Sequence, residues 1–145
     1  PQIMYLNGGK SLAVRDDGFT LYKGSQIPKE KETVKVDKEI VSTFYDNDMI
    51  GLVFKNDSKD KQYTMEVYTT DGKLKFKENF NIPYTTIKLS GGNILMYNSS
   101  QMCVMNSRGV QKYLGSVDGT IKDFKIGMNR YLLVLDSGVE IIKLS

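Results

Sequence analysis

The sequence has 145 residues, 40% of them hydrophobic and 26% charged, a formal net charge of +3, one cysteine and no histidine. Lack of histidine removes His-based triads, His general bases and His-containing metal sites together. The lone Cys103 excludes an internal disulfide or a cysteine-cluster metal site, and the small, scattered positive charge lacks the clustered basic face of a nucleic-acid binder.

In chain order the first apolar run is residues 3–6, followed by Asn7-Gly8-Gly9-Lys10. That tetrad is hairpin chemistry, because glycine reaches positive φ without steric cost. Gly8-Gly9-Lys10-Ser11 also ends like a phosphate-binding loop, but Met4 stands where the first glycine of that motif belongs and a strand pattern follows in place of a helix. Residues 11–15 read as the return strand, Asp16-Asp17-Gly18 as a turn and residues 19–22 as a third strand. The apolar signal then stops. Residues 23–38 are charged and contain a proline, and read as a long connection with a short strand around Val34 and Val36.

Strand patterns resume at residues 40–45, and Asp46-Asn47-Asp48 turns the chain. Residues 50–54 and 63–68 form a hairpin whose tip, 55–62, is the longest of its kind in the sequence. Asn56, Asp57, Ser58 and Asp60 within it resemble a calcium loop only in part: Lys61 and Val67 occupy the positions that need glycine and glutamate. Asp71-Gly72 is a two-residue turn leading to the alternating strand 73–77, and residues 85–90, 94–97, 102–105 and 110–114 follow as strands. The last group is 121–126, 131–135 and 139–144. No segment carries a helical period, and no apolar run reaches the roughly 18 residues that span a bilayer.

These strands repeat. A step of roughly 37 residues, a usual propeller or solenoid period, lays 94–97 on 131–134 and 102–105 on 139–142. The same step backwards puts Val104 on Val67, Gly109 on Gly72 and Tyr113 on Phe76; a longer step puts Ile94 on Ile3, Gly109 on Gly18 and Tyr113 on Tyr22. With the strands of a unit labelled a to d, this phase starts the chain at a b strand and ends it at a c strand. Tyr22, Phe76 and Tyr113 then share one d-strand position, where recurrence argues for packing. The b strands are apolar at consecutive positions, so both faces of their sheets should be covered. Antiparallel four-stranded sheets stacked one repeat per sheet describe a partial β-propeller, one domain over 1–145 with units of about 1–36, 37–80, 81–117 and 118–145. Sandwich and barrel folds do not predict such ungapped superposition.

An open row of sheets leaves its end faces bare, at about 1.5–3 kcal/mol for each side chain left in water. Further blades from a longer chain, or pairing of two copies as a homo-oligomer, would cover them better than a small closed ring. A chain that opens on Pro1 rather than methionine fits either processing or a piece of something longer.

The strings GGNILMYN (91–98), MNSRGV (105–110) and NRYLLVLDSGVEIIKLS (129–145) resemble a β-propeller family of unknown function in Gram-positive bacteria. The resemblance implies an N-terminal membrane anchor and earlier blades absent from this chain, an extracytoplasmic location, and no catalytic or ligand residues to carry over. WD-type signatures are absent, and with no tryptophan a quinoprotein docking motif cannot exist.

Function is less legible than form. The expectation is a non-enzymatic binding scaffold with no cofactor or metal, presenting rim loops to a protein or glycan partner and not to nucleic acid. In an up-and-down blade, b–c tips and d–a connections share a rim, and loops carry recognition. The candidate contact surface is therefore Lys29 and Lys31 on the long connection with Lys55, Asp57, Lys59, Asp60 and Lys61 on the long tip. The alternative is a degenerate glycan-active enzyme using Asp16, Asp46 or Asp48; it requires those acids on a common rim. The N-glycosylation patterns at Asn56 and Asn98 are too short to weigh.

Overall fold

Short apolar runs punctuated by glycine and Asx turns produce strands throughout the computed structural model, which describes residues 2–24, 29–57 and 59–143. Strands β1 (Gln2–Leu6), β2 (Lys10–Arg15), β3 (Gly18–Lys23) and β4 (Lys29–Lys35) form the first antiparallel sheet in chain order. The second contains β5 (Ile40–Tyr45), β6 (Ile50–Lys55), β7 (Tyr63–Tyr68) and β8 (Leu74–Phe80). The third contains β9 (Thr86–Ser90), β10 (Asn93–Tyr97), β11 (Gln101–Met105) and β12 (Gln111–Ser116). The fourth has three strands, β13 (Ile121–Gly127), β14 (Arg130–Leu135) and β15 (Gly138–Lys143). Among the described residues there is no helix.

The chain divides into two compact units, Pro1–Asn81 and Ile82–Ser145. In the first, Met4, Leu6, Leu12, Val14, Phe19 and Leu21 of sheet one share a buried cluster with Ile50, Leu52, Phe54 and Tyr68 of sheet two. Phe19 meets the Tyr68 ring edge-on at 5.2 Å between centroids. In the second unit, Leu95, Tyr97, Met102 and Val104 of sheet three pack with Ile121, Phe124, Tyr131 and Leu133 of sheet four. Edge-to-face ring pairs Tyr97–Phe124 (6.1 Å) and Phe124–Tyr131 (5.6 Å) run through this core. Both faces of β10 are closed: Ile94, Leu95, Met96 and Tyr97 are all buried, which is why its sequence does not alternate.

Two expectations change. Residues 29–35 are not part of a long connection but a complete strand, β4, paired along its length with β3. Its sequence, KEKETVK, carries no alternating apolar signal because most of it lies exposed at the outer edge, held by the backbone ladder with Val34 against the core and side-chain bonds from Lys31 and Thr33. The chain therefore starts at an edge strand of a complete sheet, not at a b strand; its last described strand, β15, is the third of its sheet. The step that laid Ile3 on Ile94 matched β1 to the second strand of sheet three, one strand out of phase. Consequently Tyr22 sits on the third strand of its sheet, whereas Phe76 and Tyr113 sit on fourth strands. Successive antiparallel hairpins with glycine turns look alike in sequence, so such a slip preserves every local feature. The predicted strand end at Leu144 lies outside the described residues.

One glycine is needed for close packing. Gly51 lies directly across from Phe44, and a Cβ at position 51 would run into the Phe44 ring. The ring lies over the bare backbone, an aromatic covering for a strand glycine.

Candidate functional site

The long hairpin tip of sheet two is held by side-chain amides that the sequence reading passed over. Asn56 N donates to Gln62 O at 2.7 Å and closes the tip. The Asn56 side chain donates from Nδ2 to Thr64 Oγ1 at 2.7 Å, and Thr64 Oγ1 donates to Asn79 Oδ1 at 2.7 Å. Thr64 is 4% exposed, so this chain satisfies a buried hydroxyl that would otherwise cost about 1–3 kcal/mol. Asn81 completes the frame: its Oδ1 accepts from Gln62 N at 2.8 Å and its Nδ2 donates to Asp60 O. Such an amide frame has no sequence signature beyond the asparagines themselves.

The connection between β4 and β5 is residues 36–39, and it meets this tip: Lys38 Nζ donates to Asn56 Oδ1 at 3.0 Å. Asp37, Lys38, Glu39, Lys55, Asn56 and Asp57 line a cleft of about 460 Å³. A second cleft of about 510 Å³ shares Asp37 and Lys38 and extends past Thr64 to Glu66, Tyr68 and Lys77 over the apolar floor of Val36, Phe54 and Leu74. Glu66 is largely buried there; the Tyr68 hydroxyl donates to its Oε2, and Lys77 Nζ lies 3.9 Å from its Oε1. Burial first, then the hydrogen bond and charge of Glu66, push the Tyr68 phenol far above its usual range, so it stays a neutral donor. The trough offers carboxylate, amide, hydroxyl and ammonium groups over an apolar floor. That chemistry suits binding through hydrogen bonds and charge.

The residues expected to form one contact rim separate. Lys55, Asp57, Lys59, Asp60 and Lys61 sit at or on the tip, while Ser58 lies outside the described residues. Lys29 and Lys31 are on β4 and belong with the other end of the sheets. Lys29 pairs with Lys23 at the start of β4, and Lys31 Nζ donates to Asp71 in the β7–β8 turn, where Lys10 Nζ also bonds at 3.1 Å. Those two ammonium groups hold the Asp71 carboxyl at about 2, below the usual carboxylate range. The misread connection caused the error: the rim partner of the tip is residues 36–39, four positions beyond Lys35.

Of the three acids of the enzymatic alternative, Asp16 separates from Asp46 and Asp48, which share one turn. Asp46 Oδ1 accepts from the backbone N of Asp48 (2.7 Å) and Met49 (2.9 Å), which is an Asx turn between β5 and β6. The neighbouring Asn47 binds Asn7 N at 3.1 Å, at the β1–β2 turn. Asp16 lies in the β2–β3 turn at the opposite end of sheet one, where Asp17 O accepts from Val36 N at 2.7 Å. Asn98 spends its side chain on its own turn, accepting from Ser100 N and Gln101 N at 2.9 and 2.8 Å.

Comparison with solved structures places these sheets in a known architecture. The chain is similar to the structure of HIRA(644-1017), with a TM-score of 0.66 at 12% identity, over 97% of this chain and 51% of that one. It is similar to BamB from Moraxella catarrhalis (TM-score 0.58, 10% identity, 99% and 42% covered) and to the WD40 β-propeller domain of Doa1 (0.56, 13%, 97% and 50%). At such identities the likeness is one of fold, and the fold is the β-propeller. The chain spans about half the length of these structures. Among curated proteins none is similar to it in sequence. The match to a family model over residues 1–144 is decisive, and the chain belongs to the family of unknown function DUF5711.

Proposed function

We propose that the protein is a non-enzymatic propeller scaffold that binds a protein or glycan partner through the rim where the 56–62 tip meets the 36–39 connection, displayed outside a Gram-positive cell. The observation that carries this reading is the trough beside Lys38 and Asn56: a pre-formed, amide-framed concavity with charged walls and an apolar floor. Concave sites with a few fixed polar groups are where ligands settle, and loops on a rigid scaffold are where recognition concentrates. The membrane-anchored, extracytoplasmic setting rests on the sequence resemblance. Among the described residues no helix is long and apolar enough to cross a membrane.

The enzymatic reading loses its particular support, since Asp16 stands at one end of the sheets and Asp46 and Asp48 at the other. The test is binding of the purified chain to a glycan array and to cell-wall polymers, with Lys38→Glu in the trough and Lys29→Glu at the opposite end as control. Loss of at least about tenfold in affinity for the trough variant alone supports the reading. Equal loss in both places the contact elsewhere, and turnover of any arrayed glycan by the wild-type chain removes the non-enzymatic part.

A further inference from the structure

Across sheet two each rung passes from apolar to polar: Phe54 pairs with Thr64 and Thr64 with Asn79, Leu52 with Glu66 and Glu66 with Lys77. Leu52 and Phe54 belong to the core shared with sheet one. Thr64, Glu66 and Lys77 line the trough of about 510 Å³, together with Lys35 at the end of β4 and Lys38 just beyond it. All of these residues lie in the first compact unit. The volume falls within the about 300–1,000 Å³ of small-molecule sites.

The polar groups of the trough have bonding capacity to spare. The Glu66 side chain is 17% exposed, and its Oε2 accepts from the Tyr68 hydroxyl. Among the described residues its Oε1 has only the Lys77 ammonium, at 3.9 Å and beyond hydrogen-bond length. A carboxylate offers about four acceptor sites, so Oε1 is open to a donor from the trough. A ligand ammonium there would meet Lys77 as a like charge; a hydroxyl would not. The cations are underused as well. Among the described residues, the ion pairs of sheets one and two engage Lys10, Arg15, Lys31 and Lys77 and leave Lys35 and Lys38 without a carboxylate partner. Lys38 Nζ spends one proton on Asn56 Oδ1, and an ammonium carries three.

We propose that this trough takes an acidic glycan: a sugar hydroxyl donates to Glu66 Oε1, and a carboxylate or phosphate on the same saccharide lies against Lys35 and Lys38. Glycan binding of this kind rests on the rim-binding reading above and narrows its partner. Thr64 and Glu66 project from one face of β7 about 7 Å apart, a span that a sugar ring with its exocyclic groups bridges. From Thr64, hydrogen bonds of 2.7 and 3.0 Å lead through Asn56 to Lys38. A hydroxyl and an acid of one saccharide thus find their partners in order along the trough. A peptide strand is the poorer occupant. β7 is paired on both sides, by β6 and β8, so it offers no free main-chain edge for strand addition. Its side-chain donors and acceptors suit a ligand that carries hydroxyls of its own.

Amide NMR titration of the isotope-labelled chain tests it with two matched pairs of probes: trigalacturonate and its methyl ester, and phosphorylated maltotriose and maltotriose itself. At least one acid is expected to bind at millimolar affinity or better and to shift the amides of residues 36–38 and 64–68. Its neutral counterpart should bind at least about tenfold more weakly. Which acid does so tells carboxylate from phosphate. Raising the salt to about 1 M should erase most of that preference. Lys35→Gln combined with Lys38→Gln should erase it too, whereas Lys29→Gln at the other end of the sheet should not. Glu66→Ala should weaken the bound sugar about tenfold, and Glu66→Gln, which still accepts a hydroxyl bond, should weaken it less. Equal binding of an acid and its neutral counterpart overturns the acidic assignment and leaves the rim reading standing. Absence of trough shifts with every probe at about 10 mM overturns glycan binding there. A peptide or protein ligand lost in Lys38→Glu would then still uphold the rim, and its retention would remove both.

Discussion

Replacing Gly18 with alanine should loosen β4 from the first sheet. Gly18 has φ +145° and pairs with Lys35 at the head of the β3–β4 ladder. A Cβ there would lie 2.9 Å from the Val34 carbonyl carbon, 3.0 Å from Lys35 Cα, and still closer to the Val34 carbonyl oxygen. All three are backbone atoms, so no side-chain rotation relieves the overlap. The backbone angle alone costs an L-residue about 1–3 kcal/mol. Opening two ladder hydrogen bonds adds about 0.5–1.5 kcal/mol each, and the stiffer unfolded chain adds a further about 0.4–1 kcal/mol in the unfolded state's disfavour, which offsets part of the loss. The net destabilisation is about 1–5.5 kcal/mol. Gly8, at φ +75° with nothing within 4 Å of its would-be Cβ, is the control. Its alanine variant meets only the torsional cost of about 1–2 kcal/mol, less the same offset. Urea denaturation followed by far-ultraviolet circular dichroism compares the two. If Gly18→Ala is no worse than Gly8→Ala, β4 is not held against β3 as described.

Gly51→Ala should destabilise by about 1–3 kcal/mol through overpacking against Phe44; adding Phe44→Leu should recover part of the loss, and strict additivity in the double mutant would contradict the contact. Asp71 should titrate by NMR near 2, because Lys31 and Lys10 favour its charged form. A depressed carboxyl stabilises the fold above the unfolded value of about 3.9 and loses that effect as pH falls from there toward 2. Asp71→Asn should flatten this acid limb with little change at pH 7, and an unaltered limb would rule the residue out. Burial pushes the Cys103 thiol up to about 11, so at pH 8 it should react with a thiol reagent only as the chain unfolds; rapid stoichiometric labelling of the native protein would contradict its burial.

What the sequence showed well was whatever is written in apolar side chains. Residues 94–97 announce a strand buried at consecutive positions, and all four are buried; the similar run 131–134 is buried only at Tyr131 and Leu133. Turns at Gly18, Gly72 and Gly109 are legible because positive φ selects the residue. β4 was hidden because an outer edge strand is held chiefly by a backbone ladder, which KEKETVK supplies without any pattern. Missing one strand shifted the phase, and the shift carried Lys29 and Lys31 to the wrong end of the sheet. Half of the candidate site was nevertheless within reach: the tip is visible as the longest hairpin loop, whereas its framing by Asn56, Thr64, Asn79 and Asn81 depends on register that no local string encodes.

The outermost strands have a consequence for how such a chain can change over time. β4, β8 and β12 hold mostly solvent-facing side chains and are anchored to their sheets chiefly by main-chain pairing. Substitutions at their exposed positions, away from Val34, Asn79, Phe80 and Tyr113, therefore leave the packed interior untouched, so the perimeter can drift in charge and composition while the inner strands stay constrained. The same loose margin should exchange its amide protons sooner than β6, β7 or β10, giving each sheet a gradient of protection from its inner strands to its rim.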